Sequence, residues 1–475
     1  MQSKDTLLQL IRDHSPMTAR QQLLLTAYLS VPAMLAQLTS IAMQYIDAAM
    51  VGSLGADASA SVGLVSTSLW LFGGICSAAV MGFSVQVAHF IGARDNARAR
   101  RVLRQSLVAC TVFGLALLLL GVGIARPLPR WLGGSEAINP AATTYFAIFM
   151  CGMPLLVVDM LASGMLRSSG NMKIPSILSV LMCVLDVLFN FMLIFPTRPL
   201  SVLGVTFTMP GAGLGVTGAA IGTLLAEAVV TALMLAYLLR RSPELRLSQD
   251  AEQNFTPDAA TITRAVRISL PMALQHIVMC SAQIYITAIV APLGSVAIAA
   301  NAFGVTAESL CYMPGYGIAD AATTLVGQSI GAQRRRLARH FAFITVLLAM
   351  AVMTLMGILL YVGAPFMMGI LSPVDAIVDL GAQCLRIEAF AEPLFGAAIV
   401  CYAVFVGAGD TVAPCVMNLA SMWGVRITLS VLLVGSMGLA GVWTAMCIEL
   451  CFRGLIFLAR LFTNRWMKTS LAQRE

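Results

Sequence analysis

Residues 32–55 read PAMLAQLTSIAMQYIDAAMVGSLG, and residues 271–294 read PMALQHIVMCSAQIYITAIVAPLG. Adding 239 to a number in the first stretch finds its landmark in the second: Pro32 and Pro271, Gln44 and Gln283, Leu54-Gly55 and Leu293-Gly294. The same offset carries Ile91-Gly92-Ala93 onto Ile330-Gly331-Ala332, Pro154 onto Pro393, Gly170 onto Gly409 and Pro175 onto Pro414. One constant offset from Pro32 to Pro175 is an ungapped duplication. Two matched halves can rock against each other, which is how repeat-built membrane proteins expose one site to two compartments in turn.

The composition places both halves in a membrane. Hydrophobic residues make up 59% of the chain and charged residues 11%, against about 25% charged in a soluble domain. Runs of about 20 apolar residues, enough to cross lipid, fall at 24–51, 59–87, 105–125, 141–164, 174–196 and 213–239, then at 268–291, 296–319, 341–363, 383–405, 414–435 and 439–462. In hydrocarbon the backbone must bond to itself, so each run is expected to be a helix. The expected fold is an all-α polytopic membrane protein of twelve transmembrane helices. Six belong to an N-terminal lobe (1–239) and six to a C-terminal lobe (268–475), joined by a polar linker (240–267). An even number of spans per lobe gives both the same orientation, hence a pseudo-twofold axis along the membrane normal.

Basic residues set the topology. Arg94, Arg98, Arg100, Arg101 and Arg104 follow the second span, and Arg334, Arg335, Arg336 and Arg339 follow the eighth. The linker adds Arg240, Arg241, Arg246, Arg264 and Arg267, while the opposite loops hold Arg126, Arg130 and Arg198. The basic side faces the cytoplasm, which puts both termini there. The net charge of +7 is accounted for without a nucleic-acid partner. The first residues, MQSKDTLLQLIRDHS, lack the pattern of a cleaved signal. Leu7, Leu8, Leu10 and Ile11 are expected to line a short helix on the membrane surface. Loop 197–212 has no counterpart in the second half and is read as a surface loop, with a small hairpin or plug as the alternative. The eleven cysteines lie mostly in spans and show no metal or disulfide spacing.

No G-x-x-x-x-G-K segment occurs, and the only lysines are Lys4, Lys173 and Lys468. A nucleotide-binding loop of that type, and with it ATP as an energy source, is excluded. Uphill transport would then be driven by an ion gradient, which directs attention to ionisable groups in the spans. Each costs about 2.5–3.5 kcal/mol at mid-membrane. At a rise of about 1.5 Å per residue, Asp47, Asp186, Asn190 and Thr223 fall at similar depth in the first lobe. Asp186 and Asn190 share a helix face. The four are expected to form a proton or sodium site. By the 239 offset Asp47 and Asp186 correspond to Ile286 and Val425, so the second lobe lacks this chemistry. Its own polar set is Glu308, Glu388, Glu392, Arg426, Glu449 and Arg453. Glu449 and Arg453 are spaced to pair. Glu308, Glu388, Glu392 and Arg426 are candidates for the substrate cavity or for a balanced structural network, with Arg426 neutralising Glu308 or Glu392. Asp159 is read as a structural partner of Arg167, and Asp320 is placed near the cytoplasmic rim.

These residues carry a family resemblance. P-x14-D-x-x-x-V-G from Pro32 to Gly52, the pair VQVAHFIGA (85–93) and TLVGQSIGA (324–332), and GAGDT (407–411) followed by Pro414 resemble the multidrug and toxic compound extrusion (MATE) family over nearly the whole chain. The resemblance implies a bacterial inner-membrane antiporter, working as a monomer without a cofactor. It would export amphipathic, often cationic compounds in exchange for protons or sodium. It also implies an acid in the first span (Asp47), a polar pair in the fifth (Asp186, Asn190) and a hydroxyl in the sixth (Thr223). The usual fifth-span order, Asn then Asp, is reversed here, and the seventh span carries no acid. Protonation of Asp47 from outside would remove its charge, repack the first lobe and release drug outward. For sodium the same four residues would supply oxygen ligands. A flippase of lipid-linked sugars is the alternative, disfavoured by having only Arg426 and Arg453 at depth. A polytopic membrane enzyme would need a reactive cluster, and none is assembled.

Overall fold

In the computed structural model of the protein, residues 3–202, 205–249 and 254–467 are described. Residues 250–253 of the linker, 203–204 of the outer loop and the terminal stretch with Lys468 lie outside them. Among the described residues, ten helices are long and apolar enough to cross a membrane, and two bent pairs, each taken as one span, bring the number to twelve. In chain order the spans are TM1 (Ala19–Gly52), TM2 (Ala56–Gly92), TM3 (Asn96–Ala125), TM4 (Asn139–Cys151 and Met153–Ser168), TM5 (Lys173–Ile194) and TM6 (Val216–Arg241). The second six are TM7 (Ala259–Val290), TM8 (Ser295–Gly331), TM9 (Arg335–Leu371), TM10 (Asp375–Glu388 and Glu392–Gly407), TM11 (Val412–Met437) and TM12 (Leu439–Phe462).

The duplication reaches single residues. TM2 and TM8 both run 37 residues and begin and end 239 positions apart. Backbone with positive φ recurs at the same offset: Gly55 and Gly294, Arg94 and Gln333, Gly170 and Gly409. The glycines suit those turns because a Cβ is strained at positive φ. TM4 bends by 47° and TM10 by 60°. In each, a proline (Pro154, Pro393) stands in the first turn of the second half, where its missing N–H leaves no bond unmade but cannot continue the preceding helix. After TM5 the offset changes. Gly215 and Gly438, both near φ 58–59°, are 223 apart rather than 239. The first lobe therefore carries 16 extra residues, which correspond to loop 197–212. That loop is an antiparallel two-stranded hairpin, β1 (Pro196–Val202) with β2 (Val205–Ala212), and not irregular surface chain.

One buried cluster gathers Val65 to Leu245 together with Ala265 of TM7, and another Ala282 to Trp466, so each lobe builds most of its core from its own spans. The lobes meet along two helix pairs. TM1 packs on TM8 so closely that a Cβ on Gly317 would lie 2.5 Å from the Met34 backbone. TM2 packs on TM7 in the same way, with Gly82 against the Ala265 carbonyl at 2.4 Å. At the ends that lead into the arginine-rich turns, TM2 and TM8 cross directly through Gly92 and Gly331.

The N-terminal helix, Lys4–Arg12, does not lie on the membrane surface. Leu7, Leu8 and Ile11 are at most 2% exposed. They pack with Leu25 and Leu29 of TM1 and with Leu325, Leu337 and Phe341 of the second lobe. Arg334 donates to the Leu10 carbonyl at 2.7 Å, Arg12 pairs with Glu244 at 2.7 Å, and Asp13 pairs with Arg94. An apolar helix face satisfies a seam between lobes as well as it satisfies lipid. The polar bonds at both ends of the face decide for the seam.

Candidate functional site

The first-lobe acids are held by one amide. Asn190 Nδ2 of TM5 donates to Asp47 Oδ1 of TM1 at 2.9 Å and to Asp186 Oδ2 at 3.1 Å. An amide nitrogen carries two hydrogens, so Asn190 spends both on carboxyl groups from two helices. Asp186 and Asn190 are fully buried, and Asp47 is partly exposed. TM6 approaches through glycine: a Cβ on Gly222 would lie 2.1 Å from Asn190 Oδ1. Asp186 Oδ1 and Asn190 Oδ1 are buried without a hydrogen-bond partner. Buried acceptors left bare are costly, and a proton or a small cation would satisfy them.

Asp47, Asp186 and Asn190 are thus brought together. Thr223, next to Gly222, is half-buried and makes no hydrogen bond to them among the described residues. Tyr145 of TM4 also sits beside both acids. Nothing in the sequence pointed to it, because an uncharged phenol inside an apolar run does not mark an ionisable site.

Between the lobes lies a cavity of about 540 Å³. Six methionines line its apolar wall: Met43, Met81, Met160, Met182, Met234 and Met272. Its charged residues are Asp159, Glu227, Asp320 and Arg167. Arg167 does not pair with Asp159. It reaches across to Asp320 at 2.7 Å, where Gln37 also donates at 3.3 Å. Asp159 accepts only a long bond from Thr231, at 3.4 Å, and Glu227 Oε1 is buried without a partner. The cavity wall therefore carries two carboxyl groups that make no ion pair among the described residues.

Glu308, Glu388, Glu392 and Arg426 do not line this cavity. The three glutamates are buried inside the second lobe with Glu449 and Arg453, and Arg426 is half-buried beside them. There Glu449 accepts from Arg453 Nε at 2.8 Å and from Ser421. Arg426 makes no ion pair with Glu308 or Glu392 among the described residues. Its Nη2 contacts Met446 Sδ at 2.8 Å, its Nε is unpartnered, and so are both carboxyl oxygens of Glu388 and of Glu392. Arg426 lies on a π-helical stretch, Ala420–Ile427. The wider turn shifts every later side chain round TM11, which straight-helix spacing does not anticipate.

The MatE family model matches residues 32–192 and again 271–432. The second match begins where the 239 offset puts Pro32. The probable multidrug resistance protein NorM of Thermotoga maritima is 24% identical over 450 residues, covering 94% of each chain. That of Chromobacterium violaceum is 25% identical, over 92% of this chain and 94% of the relative. Among solved structures, an outward-facing multidrug resistance MATE family transporter of the MOP superfamily superposes with a TM-score of 0.86 at 20% identity, covering 97% and 99% of the two chains. A MOP superfamily transporter from Pyrococcus furiosus gives 0.85 at 19% identity, covering 96% and 98%. At such identities these structures speak for the fold.

Proposed function

This chain belongs to the MatE family of transporters, and from that premise we propose that it is a multidrug efflux antiporter of the bacterial inner membrane, acting as a monomer. It exports amphipathic, often cationic compounds in exchange for protons or sodium. The observation that carries this reading is the Asn190 amide shared between Asp47 and Asp186. Two carboxylates on one amide repel each other while both are charged. A proton or a sodium ion entering between them removes that repulsion and changes which helices the amide holds. TM1 links that event to the other lobe, since Tyr45, two residues from Asp47, donates to the Thr306 carbonyl of TM8 at 2.5 Å.

The substrate is proposed to sit in the central cavity. Methionine thioethers re-pack around varied apolar shapes, and Asp159 and Glu227 offer the negative charge that a lipophilic cation needs. Closure at Gly92 and Gly331 bars the cytoplasm while substrate leaves outward. The inner ends then part to admit the next molecule.

Purified protein in sealed vesicles, loaded with a fluorescent lipophilic cation, tests the reading. An imposed pH gradient or an imposed sodium gradient, applied separately, should drive uphill movement of the dye. Movement under neither gradient would refute antiport.

A further inference from the structure

The paired segments VQVAHFIGA and TLVGQSIGA meet at the cytoplasmic seam, and they do so symmetrically. A Cβ on Gly92 would lie 2.1 Å from the Gln328 carbonyl oxygen, and one on Gly331 would lie 2.1 Å from the His89 carbonyl oxygen. With the backbones this close, the side chains of residues 89 and 328 pass each other into the opposite lobe. His89 Nε2 donates to the Gly407 carbonyl at 2.8 Å. Gln328 Nε2 donates to the Ser168 carbonyl at 2.8 Å. Residues 89 and 328 are 239 apart, and so are 168 and 407. One contact is therefore made twice, once in each direction across the pseudo-twofold axis.

The acceptors are not arbitrary. Ser168 ends the second half of TM4 and Gly407 ends the second half of TM10. Carbonyls in the last turn of a helix have no partner within it and carry the negative end of its dipole. The turns that follow return their N–H groups to Met165, Leu166 and Arg167 in one lobe and to Val404, Phe405 and Val406 in the other. The terminal carbonyl is left for the clasp. His89 and Gln328 are fully buried, so parting the lobes strips both donors and both acceptors unless water replaces them.

We propose that His89 and Gln328 are paired gate-positioning residues, each holding the broken helix of the opposite lobe against the cytoplasmic seam and each released when the cavity opens inward. The proposal rests on the transporter reading but not on its ion or substrate. Because one repeat uses histidine and the other glutamine for the same bond, the bond needs a donor and not a charge.

The test is the rate at which a membrane-impermeant maleimide labels Ser163→Cys, in the cavity wall, from the cytoplasmic side of inside-out vesicles, with labelling of the native cysteines subtracted. In that background His89→Ala should speed labelling about fivefold or more, the factor that one hydrogen bond typically carries. Gln328→Ala should do the same, and His89→Gln should return the rate to the unsubstituted value. Gln328 Oε1 also accepts from Arg12 Nε at 3.4 Å, so a charged replacement is avoided: if His89→Ala fails to fold, Gln328→Met keeps the length while removing the donor, and it should also speed labelling. Unchanged labelling in folded Gln328→Met or His89→Ala, or a His89→Gln as fast as His89→Ala, would overturn the proposal. Labelling that responds as expected while neither ion gradient drives transport would leave the gate standing and remove the antiporter.

Discussion

Placing a methyl group on Gly92 should push the transporter out of its cytoplasm-closed state without unfolding either lobe. The added Cβ would sit 2.1 Å from the Gln328 carbonyl oxygen, and real Cβ atoms do not come nearer than 3.0 Å. The seam must then widen locally by at least about 0.9 Å. The obstacle is backbone at the crossing of two long helices, so no side chain can swing aside. Overpacking of this kind costs about 1–3 kcal/mol. That cost falls on the closed state alone, because each lobe keeps most of its core when the seam parts. The closed-to-open ratio should drop about 5- to 150-fold. Hydrogen–deuterium exchange would read it, as faster exchange in 85–93 and 324–332 with unchanged protection in the TM3 and TM9 interiors. Gly331→Ala should match it, since its Cβ meets the His89 carbonyl at the same 2.1 Å. Parent-like exchange in both variants, with full efflux, would refute the claim that this crossing is the closed gate.

Three further outcomes follow from single contacts. Asp320→Asn breaks the inter-lobe pair with Arg167. The pair is partly solvated, so about 0.2–1 kcal/mol is expected, and a double-mutant cycle on cytoplasmic thiol accessibility should show coupling with Arg167→Ala. Ile11→Ser loses a side chain buried in the seam, worth about 1.5–3 kcal/mol, and limited proteolysis should then cut sooner near Arg12. Glu449→Gln strands the buried Arg453 guanidinium. Losing one member of such a pair costs about 3–5 kcal/mol, so the apparent Tm should fall well below that of Ser421→Ala.

Much of the architecture was legible in the chain because a membrane leaves few options. Long apolar runs must be helices, and a duplication fixes how the two sets correspond. Helix rise alone put Asp47 and Asp186 at one depth, where TM1 and TM5 bring them to the same amide. Contacts between lobes were the illegible part. Arg167 was matched to Asp159 by nearness in sequence, yet it pairs with Asp320, 153 residues on. The apolar face of Leu7, Leu8 and Ile11 carries no mark that tells lipid from protein. Arg426 was placed by regular helix spacing, and the π-turn it rides on moved it. Glu227 lay one turn from Thr223, but only the packing of TM6 shows that it faces the cavity.

The central claim is that the carboxyl pair in the first lobe converts an ion gradient into export. Moving one charge through 100 mV releases about 2.3 kcal/mol, enough to sustain a concentration ratio of about fifty. The direct measurement is the steady-state dye ratio across vesicles holding Asp47→Asn, under the gradient that drives the unsubstituted protein. The account predicts a ratio near one, with the dye still equilibrating faster than through bare lipid. A sustained ratio equal to that of the unsubstituted protein would contradict it.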